Sequence, residues 1–223
     1  MRVGDTTKLD QSANVTRDAH GDICHLAKGQ KVLNVGAAGN AQYYREHGHD
    51  GWLHAALSQA ASKLVGLDLD EQEVSAAKDM GFAVELGNCE DAQLEDSFDL
   101  IVLADVLEHV DNPTRALQNL MAHLEPGGKI VVTTPNATFF GNVTNALLRR
   151  GPNIYWDHVN LYTPENIQAL CDRHGWRLSN TAMYSLTDGR STANKIKSAI
   201  IHMAAGLFPR LHASFICIIE PAE

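Results

Sequence analysis

Four short apolar runs rich in β-branched residues, KVLNVG (31–36), KLVGLDLD (63–70), FDLIVLAD (98–105) and KIVVTTPN (129–136), constrain this chain more than any other feature. Each closes on Gly, Asp or Asn, as a strand buried on both faces does where it meets a turn. Between them lie helical stretches at roughly 41–62, 71–80 and 112–124, the last opened by Asn112 as cap and Pro113 as first helical residue. A shorter strand, AVELGN (83–88), follows the second helix. Strict alternation of strand and helix implies right-handed crossovers and a mostly parallel sheet with helices on both faces. Ligands then belong at the carboxyl ends of the strands.

Beyond PGG (126–128) the order continues with a helix at 142–150, a helix opened by Thr163-Pro164-Glu165 and ending near His174-Gly175, and a strand at 176–186. A helix near 192–207 and a last strand at 214–221 complete it. That tail predicts a final antiparallel strand inserted by a hairpin-like return. No repeat, low-complexity tract or linker divides the chain, so 1–223 is expected to be one domain, with 1–29 as an N-terminal helical cap and 137–162 as an insertion on the substrate side.

Charge narrows the partners. With 18 basic and 27 acidic side chains, a net −9, the chain has no sequence-wide positive field to neutralise a phosphate backbone, so nucleic acid is not expected. Cys24, Cys89, Cys171 and Cys217 are scattered without CxxC spacing, which argues against a zinc site and a secreted disulfide framework. The N-terminus is polar, and no apolar run reaches the roughly 20 residues needed to span a bilayer. A cytoplasmic monomer or homodimer acting on a small molecule is the expectation, with no membrane partner.

The residues with chemical potential cluster at strand ends. Asn34-Val35-Gly36-Ala37-Ala38-Gly39-Asn40 is a small-residue turn into a helix, where backbone amides can approach a carboxylate or phosphate; tight packing alone would also explain it. Asp68 closes the second strand and can accept from both hydroxyls of a ribose, whereas Asp70 suits the capping of the next helix. Asn88 with Cys89 could read an adenine edge or form a plain loop. Asp105, Glu108, His109 and Asp111 place four ionisable groups within seven residues at the rim, more than capping needs.

Taken in order, VLNVGAAGN, LVGLDLDEQ, FDLIVLADVLEHVDNP, LEPGGKIVVTTPN and DHVNLYTPENIQALCDRHGW resemble the small-molecule branch of class I S-adenosylmethionine-dependent methyltransferases, and most of all the ubiquinone-biosynthesis-type O-methyltransferases. The resemblance covers about residues 25–185. It implies a Rossmann-like α/β fold: a seven-stranded, mostly parallel sheet with helices on both faces and an antiparallel last strand. It implies S-adenosylmethionine as cofactor, with Asn34, Gly36, Ala37 and Ala38 around the methionine part, Asp68 and Leu69 at the ribose, Asn88 and Cys89 at the adenine, and Asp105 near the methionine amino group. In such enzymes the glycines of PGG, here Gly127 and Gly128, make the tight turn into the fifth strand. Three positions depart from the family pattern: Asn34 stands for an acid, and Ala38 and Asn40 stand for glycines.

A hydroxyl acceptor must lose a proton, and His109 and His158 are placed to take it. His158 belongs to the cluster Tyr155-Trp156-Asp157-His158. Asp105, Glu108 and His109 match in outline a motif associated with a divalent metal in the ubiquinone-type branch, but no metal is expected here. His47, His49 and His54 are expected on a solvated surface, with Trp52 and Leu53 packed inward, and Ser198 to Leu207 is expected to cover the sheet. Two rivals stand beside methyl transfer. One is a methyltransferase fold acting only as a binding or scaffold subunit. The other is a nicotinamide-dependent oxidoreductase, disfavoured because GxGxxG is absent and Asp68 lies 32 residues after Gly36 instead of about 20.

Overall fold

The computed structural model describes residues 14–186 and 191–221. In chain order the elements are β1 (Asn14–Val15), α1 (Ala19–Ala27), β2 (Lys31–Val35), α2 (Ala41–His47), α3 (Leu53–Ala60), β3 (Lys63–Asp68), α4 (Glu71–Asp79), β4 (Val84–Leu86) and β5 (Phe98–Ala104). There follow α5 (Pro113–Met121), β6 (Leu124–Pro135), α6 (Phe140–Leu147), α7 (Pro164–His174), β7 (Trp176–Tyr184), α8 (Thr192–Leu207), a 3₁₀ turn (Pro209–Leu211) and β8 (Ser214–Pro221). The strands form one sheet in the order β1-β7-β8-β6-β5-β2-β3-β4. All neighbours run parallel except β8, which is antiparallel to both β6 and β7. The sheet has eight strands instead of the expected seven, because the two-residue β1 pairs with the outer edge of β7.

Two-residue periodicity explains why the central strands read as continuous apolar runs. Val32, Leu100, Val102 and Val131 point to one face, where Ile23 of α1 and Leu57 of α3 cover them. Their neighbours Leu33, Ile101, Leu103, Ile130 and Val132 point to the other, beneath Leu117 and Leu120 of α5 and Ile167 and Cys171 of α7. A sheet covered twice has no solvent face on which to place polar residues.

Caps appear where the sequence puts them. Asp70 accepts from the amides of Gln72 and Glu73 at the start of α4, and Asn112 accepts from Arg115 N ahead of Pro113. Thr163 and Asn166 form a reciprocal capping box on α7, which ends on Gly175 at φ 70°.

Four expectations are corrected. The stretch 41–62 is two helices, since Gly48 and Gly51 adopt positive φ and turn the chain between α2 and α3. The insertion helix starts at Phe140 and ends at Leu147, two residues ahead of the expected start. PGG falls inside the bounds of β6 instead of ahead of them, and turns the chain there: Gly127 has φ 81° and the register against β5 jumps from Leu124 to Lys129. Gly128 is required there, because a Cβ would come within 2.9 Å of the carbonyl oxygens of Glu125 and Phe98. Finally, among the described residues α8 contacts mainly α6 and the 3₁₀ turn, where it was expected to cover the sheet. Of the proposed N-terminal cap, residues 1–13 lie outside the described residues.

Candidate functional site

Two clefts open at the carboxyl ends of the parallel strands. The first, about 150 Å³, is lined by Gly36 after β2, Asp68 and Leu69 at the end of β3, Asn88 and Cys89 after β4, and Val106 and His109 after β5. Gly36 has φ 70°, and a Cβ on it would meet Val106 Cγ2 at 2.6 Å, so only bare backbone can form the wall there. The cleft gathers Gly36, Asp68, Leu69, Asn88 and Cys89 from the sequence-derived donor set. It does not gather Asn34, Ala37, Ala38 or Asp105: the two alanine side chains are buried in a separate cluster with Trp52 and Val74, Asn34 faces His54, and Asp105 is not among the lining residues but bonds Thr133.

Asp68 does more than line a wall. Its Oδ2 accepts from Ala38 N at 2.9 Å and Gly39 N at 3.3 Å, and its Oδ1 accepts from Asp70 N at 3.1 Å. A carboxylate has about four acceptor positions, so three amides leave room for one further donor. The amides of Gly36 and Ala37 both donate to Leu67 O. The turn is thus fastened to the end of β3 before any ligand arrives. Asn88 likewise uses its Oδ1 on Glu90 N, leaving its amide N–H groups for other partners, and burial pushes the Cys89 thiol up to about 11, so it stays protonated at neutral pH.

The rim after β5 is strained and acidic. Asp105 adopts φ 53°, costly for a residue with a Cβ, and is held there by its own N–H bonded to Thr133 O and by Thr133 Oγ1 donating to Oδ1 at 3.2 Å. The residue keeps part of its surface in solvent, yet enough protein surrounds the carboxyl that desolvation raises its pKa. Glu108 is 1% exposed; Thr134 Oγ1 donates to its Oε2 at 2.9 Å, while its Oε1 has no hydrogen-bond partner among the described residues. Burial is the main cause that lifts it to about 7, and the nearby carboxylates of Asp105 and Asp157 add to the rise.

The loop after α6 brings the second histidine in. Val159 N and Asn160 N both donate to Glu108 O, and Asn160 Nδ2 donates to Val110 O, which pins 157–160 against the β5 rim. His109 Nδ1 then lies 3.2 Å from Asp157 O and 3.4 Å from its Oδ2, and the His109 and His158 rings meet edge to face with centroids 4.6 Å apart. Desolvation is the first cause lowering the His158 pKa, and His109 beside it is the second. Glu108, His109 and His158 also offer donor atoms within 4.8 Å of one another, a carboxylate and two imidazoles that could hold a divalent ion. The third ligand in this group is His158, where the sequence spacing had pointed to Asp105.

His158 also lines the second cleft, about 640 Å³, with Asn136, Phe139, Ile154, Tyr155, Leu161 and Leu186 among its walls. Its asparagines are committed internally: Asn136 Nδ2 donates to the carbonyls of Arg210 and His212, Asn142 bonds Ala137 O and Asn153 N, and Asn145 Nδ2 donates to Asn153 Oδ1. What these walls present is mostly apolar. The two clefts meet at the histidine pair, His109 in one and His158 in the other.

Sequence reasoning missed Asp157 as the partner of His109, the Thr134 anchor of Glu108, and the burial of His54, which is 1% exposed and not on a solvated surface. His47 and His49 do lie on the surface, and Trp52 packs inward as expected. Among the described residues no helix is long and apolar enough to cross a membrane.

Comparison with known proteins gives the family and the fold. A family model described as a methyltransferase domain matches residues 26–180. The ubiquinone biosynthesis O-methyltransferase of Coxiella burnetii is 31% identical over 119 residues, covering 50% of this chain and 46% of that protein. The chain spans about half the length of the curated relatives it matches first. In fold, it superposes on magnesium protoporphyrin IX methyltransferase from Synechocystis PCC 6803 with TM-score 0.60 at 14% identity, covering 92% of this chain and 83% of that one. An N-methyltransferase from Bradyrhizobium japonicum WM9, solved with S-adenosyl-L-homocysteine, gives 0.56 at 14% identity, covering 92% and 87%.

Proposed function

Because the chain belongs to the methyltransferase-domain family, we propose that it transfers a methyl group from S-adenosylmethionine to a hydroxyl on a small, uncharged molecule. The observation that carries this reading is the meeting of two clefts at His109 and His158, one shaped by the strand-end residues that suit a nucleoside and the other mostly apolar.

The first cleft fits the cofactor on its own chemistry. Gly36 offers bare backbone where a side chain would collide with Val106, Asp68 keeps one acceptor position for a ribose hydroxyl, and Asn88 keeps N–H donors for a heterocycle. When bound, the cofactor supplies a methyl group already activated on a sulfonium, so the chain needs chiefly to align the acceptor and exclude water. Phe139, Ile154, Tyr155 and Leu161 hold the body of the acceptor. His158, neutral because its pKa is lowered, accepts the hydroxyl proton, and Asp157 orients His109 beside it. The acidic net charge and the lack of lysine or arginine among the residues named for the second cleft both disfavour a polyanionic acceptor.

Calorimetry with S-adenosylhomocysteine followed by a methyl-release assay tests the reading. Saturable binding is expected. No heat and no thermal shift at millimolar ligand would instead favour a scaffold role. His158→Ala should slow turnover about 100-fold or more with ligand affinity unchanged. In the unsubstituted protein kcat should fall on the acid side, with a midpoint below the usual histidine value of 6.5. Full activity of His158→Ala and His109→Ala would remove the proton-acceptor role.

A further inference from the structure

Trp52 and His54, at the N-terminus of α3, take no part in the chemistry above, yet both grip the β2 turn from behind the first cleft. His54 is 1% exposed, and the side-chain amide of Asn34, itself 3% exposed, lies 3.3 Å from its Nδ1. With Asn34 Nδ2 donating, the ring carries its proton on Nε2, which has no partner among the described residues. Burial holds the imidazole down to about 4, so it is neutral at physiological pH. The neighbouring strand gives up a side chain for it: a Cβ at Gly66 would stand 3.0 Å from His54 Cε1 and 2.6 Å from Ala37 Cβ. Two residues earlier, the Trp52 indole donates to Ala37 O at 2.9 Å, and its ring stacks on Tyr44 of α2 at 5.3 Å and meets Phe82 edge-on at 4.6 Å.

Packing alone does not call for this set. A Leu at 34 against a Phe at 54 would fill similar space without burying an imidazole N–H that lacks a partner, which is costly in a dry interior. The two polar bonds converge on residues 34 and 37, which bracket Gly36, while Asp68 holds the amides of Ala38 and Gly39 from the ligand side. We propose that the Asn34–His54 and Ala37–Trp52 bonds form a clamp from α3 that positions the Gly36 turn for the methionine portion of the donor. The clamp rests on the donor reading given above. Its members are positioning residues: they act on the ligand through the turn backbone.

The test is calorimetry of the full chain with S-adenosylhomocysteine, alongside thermal melts. His54→Phe and Asn34→Leu should each weaken binding about three- to tenfold, the worth of one buried hydrogen bond, and the double variant should be no weaker than either. His54→Gln, whose amide oxygen can accept from Asn34, should restore most of the affinity. Trp52→Phe keeps a ring and loses the N–H, so it should weaken binding by a similar factor, additive with His54→Phe. If any of the single variants fails to fold, the remaining ones carry the comparison. Lowered melting temperatures with unchanged affinity in all of these variants would overturn the clamp while leaving the donor reading intact. Absence of binding by the unsubstituted chain would overturn both.

Discussion

Asp68 holds three backbone amides and keeps room for one more donor, so its removal should register in two ways. Asp68→Ala should weaken S-adenosylhomocysteine binding about tenfold or more in calorimetry and also lower the melting temperature, because charge-assisted bonds to the turn are lost along with the acceptor. Glu108 makes a pH test. Its folded pKa, about 7, lies above its ordinary value of 4.5, so the folded state binds the extra proton and the associated stability is present below 4.5 and lost as pH rises through about 7. Glu108→Gln keeps a group for Thr134 to bond and removes the charge. In metal-free buffer its melting temperature should exceed that of the unsubstituted protein at pH 8, and the gap should narrow as pH falls through about 7 and close below 4.5; a gap independent of pH would refute the assignment. The sequence singled out residues local to strand ends, and of these Gly36, Asp68 and Asn88 line one cleft. Ala37 and Ala38 were placed among the cofactor contacts because small size signals a close approach without saying on which side, and here their side chains face the interior.

At the scale of elements, whatever depends on neighbours in sequence was readable. Apolar β-branched runs gave β2, β3, β5 and β6, and cap chemistry gave the starts of α4, α5 and α7. Thr163→Ala removes one half of the α7 capping box and should cost about 1 kcal/mol, seen as a fall of roughly 2–4 °C in melting temperature with cofactor affinity untouched. Elements were misread where glycine has two meanings. Gly48 and Gly51 break a helix at positive φ, whereas Gly128 permits a crowded strand, and composition does not separate these uses. His109 and Asp157 are 48 residues apart, and only the pinning of 157–160 onto Glu108 O brings them together, which no local pattern reveals. His54 was placed on a solvated surface for a similar reason: its burial depends on Gly66, on a separate strand.

For the molecule as a whole, the surroundings of the second cleft carry exposed rings and apolar chains. Tyr155 and Trp156, 74% and 95% exposed, stand in the loop that carries His158, and Leu186 at the second cleft is 71% exposed. An acceptor panel should therefore favour uncharged hydroxyl compounds with an apolar ring or chain over sugars, carboxylates and amines. A measurable preference for a charged acceptor in the methyl-release assay would count against this view of the cleft. Repeating the assay in chelator decides what Glu108, His109 and His158 do together: activity should persist if they handle a proton and vanish if they hold an essential ion. The placement of β8 has a consequence for how the molecule assembles. The strand lies between β6 and β7 and is the covalently distant piece that joins them, so a growing chain that has not yet reached residue 214 can pair β2 to β6 but has nowhere to dock β7 and, outside it, β1. Folding is then expected in two stages, a parallel half carrying the first cleft first and a late clasp that adds the far edge of the sheet, with long-range strand closure as the slower stage.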